Sequence, residues 1–225
     1  MYMGKVPRVD IAGHYYHVLN RGNAKQQIFF DESDYRMFES VLLLGIKKFG
    51  IDVYAYCVMP NHFHLVLKTL SDGEMGRFMQ WITLTHTSWV HAKNNSVGYG
   101  HIYQGRYKSF IIEDDEYLQA VLRYVEQNPL RAGLVESLET WAWTSFFKRK
   151  HSAEKLSKFL AIHHHQKSNE YETFVNELLP EHVYTEVKKS STKGKPYGSD
   201  VWVNRTIERY GLHTTIRNVG RPRKE

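Results

Sequence analysis

The sequence predicts an α+β fold: a ferredoxin-like βαββαβ antiparallel sheet, an added helix, and a C-terminal extension. Three observations carry this. The hydrophobic period switches between about 2 and about 3.6 residues in the order strand, helix, strand, strand, helix, strand, helix. The first six of those elements form the split βαβ arrangement, and the seventh is an addition to it. Hydrophobic residues make up 42% of the 225 positions, which is enough to pack a core.

Each element has its own local reason. HYYHVLNRG (14–22) is aromatic and β-branched and stops at Asn20-Arg21-Gly22, which predicts a strand ending in a turn. In DESDYRMFESVLLLGIKKFG, Phe38, Val41, Leu42, Gly45 and Phe49 recur at helical spacing; acidic residues open the segment and Gly50 closes it. IDVYAYCVM (51–59) is a strand broken by Pro60, and HFHLVLKTL is its hairpin partner. GEMGRFMQWITLTHTSWVHAKNN (73–95) reads as a helix with Phe78, Ile82, Thr85 and Trp89 near one stripe. The loop SVGYGHIYQG leads into a fourth strand, RYKSFIIE, and DDEYLQAVLRYVEQNP is a helix with acidic residues in its first turn. After WAWTSF (141–146) the texture turns polar and partly helical over 147–187. KKSSTKGKPYGSD (188–200) has the composition of a flexible linker, followed by VWVNRTIERYGL and a basic end, GRPRKE. The expected division is a main domain at 1–146, a helical extension at 147–187, and a linker with a basic tail at 188–225.

The net charge of +6 and pI near 9.2 suggest a polyanionic partner, nucleic acid first and an anionic membrane surface second. No apolar run approaches the roughly 18 residues that span a bilayer, and the start MYMGKVPRVDIAG has no signal-peptide core, so a soluble, cytoplasmic protein is expected. Cys57 is the sole cysteine, which excludes an intramolecular disulfide and a cysteine-based zinc site. With 15 tyrosines in the chain, a functional tyrosine has to be argued from its position.

PNHFHLVLK (60–68) raises the chemical question. Alternation along a strand puts His62, His64 and Val66 on one face and Phe63, Leu65 and Leu67 on the other, helix-packed face. The two imidazoles then converge on the side away from the core, a geometry that suits one divalent ion; two half-exposed strand histidines without a task is the plainer alternative. In the last helix, Leu118, Val121, Leu122 and Val125 form the core stripe and Tyr124 flanks it, at about 100° per residue. Asn128 and Gln127 stand four and three positions after Tyr124, within its reach. Tyr117 has Val121 in the matching place and lacks such a partner. Asn128 before Pro129 also fits a helix N-cap, a role that does not exclude metal ligation.

His62-Phe63-His64 followed by a helix carrying Tyr124 resembles the HUH single-tyrosine transposases of insertion sequences, and within them the REP-associated tyrosine transposases. HVLNRGN (17–23), YCVMPNHFHLVL (56–67), YQGRYKSF (103–110) and YLQAVLRYVEQNPLRAGLV (117–135) agree with that group, so the resemblance covers roughly residues 8–146. It implies that 1–146 is the catalytic domain. It also implies a reaction: the Tyr124 hydroxyl attacks a phosphodiester in single-stranded DNA, forms a 5′-phosphotyrosine, and releases a 3′-hydroxyl. His62, His64 and, by family position, Asn128 would hold Mg2+ or Mn2+; insertion-sequence relatives carry Gln at the last of these places. The implied partner is single-stranded DNA with a REP-like hairpin, the implied location nucleoid-associated, and the implied state a monomer, with the dimer of insertion-sequence relatives as the alternative.

Asn20, Arg21, Tyr103, Gln104, Arg106, Tyr107 and Lys108 form the expected DNA surface, basic groups holding phosphates and aromatics stacking on unpaired bases. Arg221 and Arg223 lie in GRPRK, which resembles an AT-hook. HHHQK (163–167) reads as an exposed loop. Two other functions fit the same chain: a non-catalytic DNA- or RNA-binding module, against which the intact His-x-His and Tyr124 argue, and a hydrolase using metal-bound water, which would leave no covalent protein–DNA product.

Overall fold

The computed structural model describes residues 8–98, 100–151, 158–167 and 170–216. Strands β1 (Tyr15–Arg21), β2 (Asp52–Met59), β3 (His62–Lys68) and β4 (Lys108–Ile112) alternate with helices α1 (Glu32–Phe49), α2 (Glu74–Lys93) and α3 (Glu116–Glu126) in the expected order. The sheet order is β2-β3-β1-β4, every pair antiparallel. Among the described residues, no helix is long and apolar enough to cross a membrane.

Helix α1 begins where the sequence offers a capping box. The Asp31 carboxylate accepts from the amides of Ser33 and Asp34, the Asp34 carboxylate returns the bond, and Gly50 closes the helix in the left-handed region at φ 64°. Lys93, at the end of α2, reaches both capping carboxylates, at 2.8 Å from Asp31 and 2.6 Å from Asp34. The two helices meet at Gly45, where a Cβ would come within 2.9 Å of the Phe78 ring. With Phe38, Leu42 and Ile82 they cover Tyr16, Val18, Phe63, Leu65 and Leu67 on one sheet face.

The opposite face was expected to lie away from the core, and the structure corrects this. Tyr15, Cys57, Val66 and Phe110 pack there against Leu118, Val121, Leu122 and Val125 of α3, with Val187 from a later helix. The sheet therefore has two hydrophobic faces, because the stripe of α3 needs a surface and the face holding α1 and α2 is already filled.

Among the described residues three short helices and two longer ones follow: α4 (Asn128–Arg131), α5 (Ser145–Lys150), α6 (Tyr171–Asn176), then α7 (Glu181–Lys193) and α8 (Asp200–Tyr210). The expected linker at 188–200 is not a linker. Helix α7 runs through Lys188 to Lys193, with Ser190 and Ser191 buried. Tyr197 then exchanges backbone hydrogen bonds of 2.9 Å with Ile111 and Glu113 at the sheet edge. The unpaired edge of β4 needs hydrogen-bond partners, and this polar stretch supplies them. Val203 and Ile207 of α8 join the first core.

Candidate active site

Antiparallel register sets the first half of the site. β3 lies beside β1 with Leu19 opposite His64 and Arg21 opposite His62, so those four side chains share the face that α3 covers. The rings of His62 and His64 are 4.9 Å apart, and the Tyr124 ring stands edge-on to His64 at 5.9 Å. Asn128, one turn after Tyr124, completes the group. His62, His64, Tyr124 and Asn128 line one cavity of about 320 Å³, together with Arg21, Arg131 and Lys188.

The two histidines are held differently from what the strand pattern alone suggests. His64 is 3% exposed and sits against the second core; His62 is only partly covered. The His62 Nδ1–H donates to the Asn61 side-chain oxygen at 2.6 Å, leaving Nε2 with its lone pair. The His64 Nδ1 pairs at 2.9 Å with Nε2 of His17, a fully buried histidine on β1. If His64 donates in that bond, its Nε2 is free for a cation and the His17 proton sits on Nδ1. That His17 nitrogen is buried without a partner among the described residues. Burial, with Arg21 nearby, lowers the His62 pKa to about 4; burial, with His62 nearby, lowers that of His17 to about 3. His64 falls well below the ordinary range for the same first reason. All three imidazoles are therefore neutral at pH 7, the state that ligates metals.

Asn128 and Gln127 are bonded differently in three dimensions. Gln127 is fully buried, donates to the carbonyls of Val175 and Glu177, and accepts from the Leu179 amide at 3.1 Å. Its amide is saturated by the segment leading into α7. Asn128 makes no cap; its Nδ2 donates to the Tyr124 carbonyl at 2.8 Å, so Oδ1 remains. Two imidazole nitrogens and one amide oxygen on one cavity wall fit a hard or borderline divalent ion. Tyr117 does not line this cavity; it packs against Tyr197 at 5.4 Å.

Tyr124 is 5% exposed, and burial pushes its phenol pKa up, with the Arg21 guanidinium opposing the shift. Tyr184 of α7 lies over it at 5.3 Å, itself stacked on the Arg131 guanidinium.

The expected DNA surface divides. Arg21, Gln104 and Lys108 line the cavity, and Arg106 is exposed beside it on the β4 approach. Asn20 is buried, its Oδ1 accepting from the Arg21 amide at 2.9 Å, and so it shapes the strand end. Tyr103 cannot stack on a base: it is 7% exposed, with its hydroxyl bonded to His86 at 2.8 Å inside the first core. Tyr107 is 9% exposed, with Arg8 over its ring at 4.1 Å. Both aromatics turn inward because the loop before β4 packs along α2, Tyr103 against His86 in its middle and the Tyr107 hydroxyl near Gly76 in its first turn. Arg221 and Arg223 lie outside the described residues.

His17, Arg131, Tyr184 and Lys188 are site residues that sequence reasoning missed. The parity of β1 puts His17 and Arg21 on one face, a signal that was available for His17. Nothing local announces that α7 folds back over Tyr124.

The family described as Transposase IS200 like matches residues 10–128, more than half of the chain and all four cavity residues named first above. A REP-associated tyrosine transposase of Haemophilus influenzae is 24% identical over 119 residues, 49% of this chain and 68% of that protein. The REP-associated tyrosine transposase of Escherichia coli K12 is 21% identical over 136 residues, 60% of this chain and 78% of that protein. A solved structure of a REP-associated tyrosine transposase bound to a REP hairpin superposes with a TM-score of 0.55 at 19% identity, over 79% of this chain and 99% of that one, and shares the fold. With the family's pattern spanning both histidines, the tyrosine and the asparagine, this chain belongs to the IS200-like transposases, enzymes that cleave and transfer DNA strands.

Proposed function

We propose that this transposase is a metal-dependent single-strand endonuclease and strand transferase, that Tyr124 is its nucleophile, and that hairpin-bearing DNA is its substrate. One observation carries the reading: His62, His64, Asn128 and Tyr124 line a single cavity whose rim is basic. His62, His64 and Asn128 would hold a divalent ion, Mg2+ or Mn2+, which when bound polarises the scissile phosphate.

The remaining chemistry belongs to the chain. Arg21, Arg131 and Lys188 draw the DNA backbone into the cavity and offset charge on the phosphate. The buried Tyr124 hydroxyl stays protonated at neutral pH, so it attacks as its proton leaves, with Arg21 stabilising the developing phenolate. The Tyr124 oxygen forms a bond to phosphorus as the bond from phosphorus to the 3′-oxygen breaks. That oxygen departs as a 3′-hydroxyl, and a 5′-phosphotyrosine remains. Attack by another 3′-hydroxyl reverses the step and rejoins strands without an external energy source. His17 fixes the ring of His64, and Asn61 that of His62, so that the coordinating nitrogens are already in place.

The hairpin partner rests on likeness to the REP-associated relatives and on the positive cavity rim. The test is incubation with end-labelled single-stranded DNA carrying a hairpin from beside the gene, in Mn2+ or Mg2+, followed by a denaturing gel. A covalent adduct is expected for the native chain and for Tyr117→Phe, and none for Tyr124→Phe, which should bind the same DNA within about twofold because only a hydroxyl is lost. An adduct retained by Tyr124→Phe would sink the assignment.

A further inference from the structure

The three consecutive histidines at 163–165 do not line the Tyr124 cavity. Each offers a ring nitrogen, and the three nitrogens lie within 4.8 Å of one another. Read from sequence as an exposed loop, the segment is instead anchored. The Ala161 amide donates to the Val53 carbonyl at 2.9 Å, Gln166 donates to the Tyr54 carbonyl at 3.1 Å, and the Gln166 side-chain oxygen accepts from the His163 amide at 3.0 Å. The β-bulge between Val53 and Ala55 frees these edge groups of β2.

The second observation concerns how the rings are held. His163 is 5% exposed, and its Nε2 meets the Asp114 carboxylate at 3.2 Å. Its other nitrogen, Nδ1, is buried and has no partner among the described residues. His165 repeats the arrangement, with Nε2 at 3.3 Å from Asp115. A carboxylate on one ring nitrogen with the other left open is how histidines are oriented for metal ligation, and a buried unpartnered nitrogen otherwise costs stability.

We infer that His163, His164 and His165 form a second cation site, built for a transition ion of the zinc class and supported by Asp114 and Asp115. Three imidazoles are the donors such ions prefer; Mg2+ and Ca2+ prefer oxygen. Asp114 and Asp115 immediately precede α3, the helix that carries Tyr124, so a filled site would fasten the segment around 158–167 to the start of that helix.

The test uses untagged full-length protein stripped with a chelator, equilibrium dialysis against Zn2+, and visible spectra with Co2+. The native chain should bind two equivalents of Zn2+, one of them in the Tyr124 cavity; His62→Ala, which weakens that cavity site, should keep the equivalent at 163–165, with an absorption band typical of tetrahedral Co2+ arising there. The double variant H164A/H165A should lose that equivalent and the band while its far-UV circular dichroism is unchanged, since His164 is exposed and His165 only partly covered. D114A/D115A should bind roughly 10- to 100-fold more weakly. A double histidine variant that keeps the native stoichiometry would overturn the site. So would a native affinity no tighter than that of a synthetic peptide of residues 158–167, because three adjacent histidines without a built support would then explain the binding.

Discussion

At the scale of single residues, the adjacent amides Gln127 and Asn128 separate stability from chemistry. Gln127 is buried with both ends of its amide bonded to the backbone of 175–179, so Gln127→Ala leaves the Val175 carbonyl and the Leu179 amide unpaired, while the Glu177 carbonyl keeps its bonds from Arg123. The expected loss is about 2–4 kcal/mol of unfolding free energy, read by urea denaturation. Asn128→Ala removes one donor to the Tyr124 carbonyl at a helix end, where the cost should stay below about 1 kcal/mol, and it should abolish metal-dependent cleavage. If Gln127→Ala folded as stably as the native chain and lost cleavage while Asn128→Ala kept it, the ligand assignment would be reversed. A similar contrast holds for the histidines. His64 is buried against the second core and paired with His17, so His64→Ala should lower Tm even in metal-free buffer, whereas His62→Ala should lower it much less.

At the scale of elements, the packing of α2 predicts a pH response. His86 on α2 is stacked on Phe29, bonded to the Tyr103 hydroxyl at 2.8 Å, and lowered to about 4 by burial. The unfolded chain protonates this histidine near pH 6.5 and the folded chain only near 4. Between those values the unfolded state binds the extra proton, so stability rises with pH through that window. The contribution is fully present above about pH 6.5 and is lost as pH falls toward 4, at up to about 1.4 kcal/mol per pH unit for one group. His17 and His62 add to the same slope, their values being lowered to about 3 and about 4. His86→Gln, whose amide can still pair with Tyr103, should reduce the slope of unfolding free energy against pH between 4 and 6.5 by about one proton. An unchanged slope would mean that His86 is charged in the folded chain.

At the scale of the whole molecule, the C-terminal region divides at a different place from where its composition suggests. Val187 is buried in the second core, and Tyr197 is bonded along the β4 edge. Deleting 188–225 should therefore cut α7 in half, remove Lys188 from the cavity, and lower both Tm and cleavage. Deleting only 217–225 removes Arg217, Arg221, Arg223 and Lys224 against a single carboxylate, Glu225, and none of the described packing. That shorter truncation should keep Tm and cleavage at saturating DNA. Its affinity for hairpin DNA should fall, and the slope of log affinity against log salt should become shallower, by up to about three, since each neutralised phosphate releases close to one counterion. An unchanged slope would show that the tail does not touch DNA.

The sequence alone determined the order of elements, the parity that puts His62 and His64 on one face, and the offset from Tyr124 to Asn128. Each depends on local periods of two or 3.6 residues, which adjacent residues carry in full. Tertiary structure decided the rest. Which amide of the Gln127–Asn128 pair faces the cavity depends on where 175–179 packs, and that segment is some fifty positions away. His17 becomes a partner of His64 only through strand register. Tyr103 turns from an expected stacking platform into core because the loop before β4 folds inward. The polar run at 188–200 looks like a linker since its helix pairs with a surface, α3 and the β4 edge, that no window of sequence contains. Long-range contacts of this kind are set by which faces remain uncovered after the local elements form.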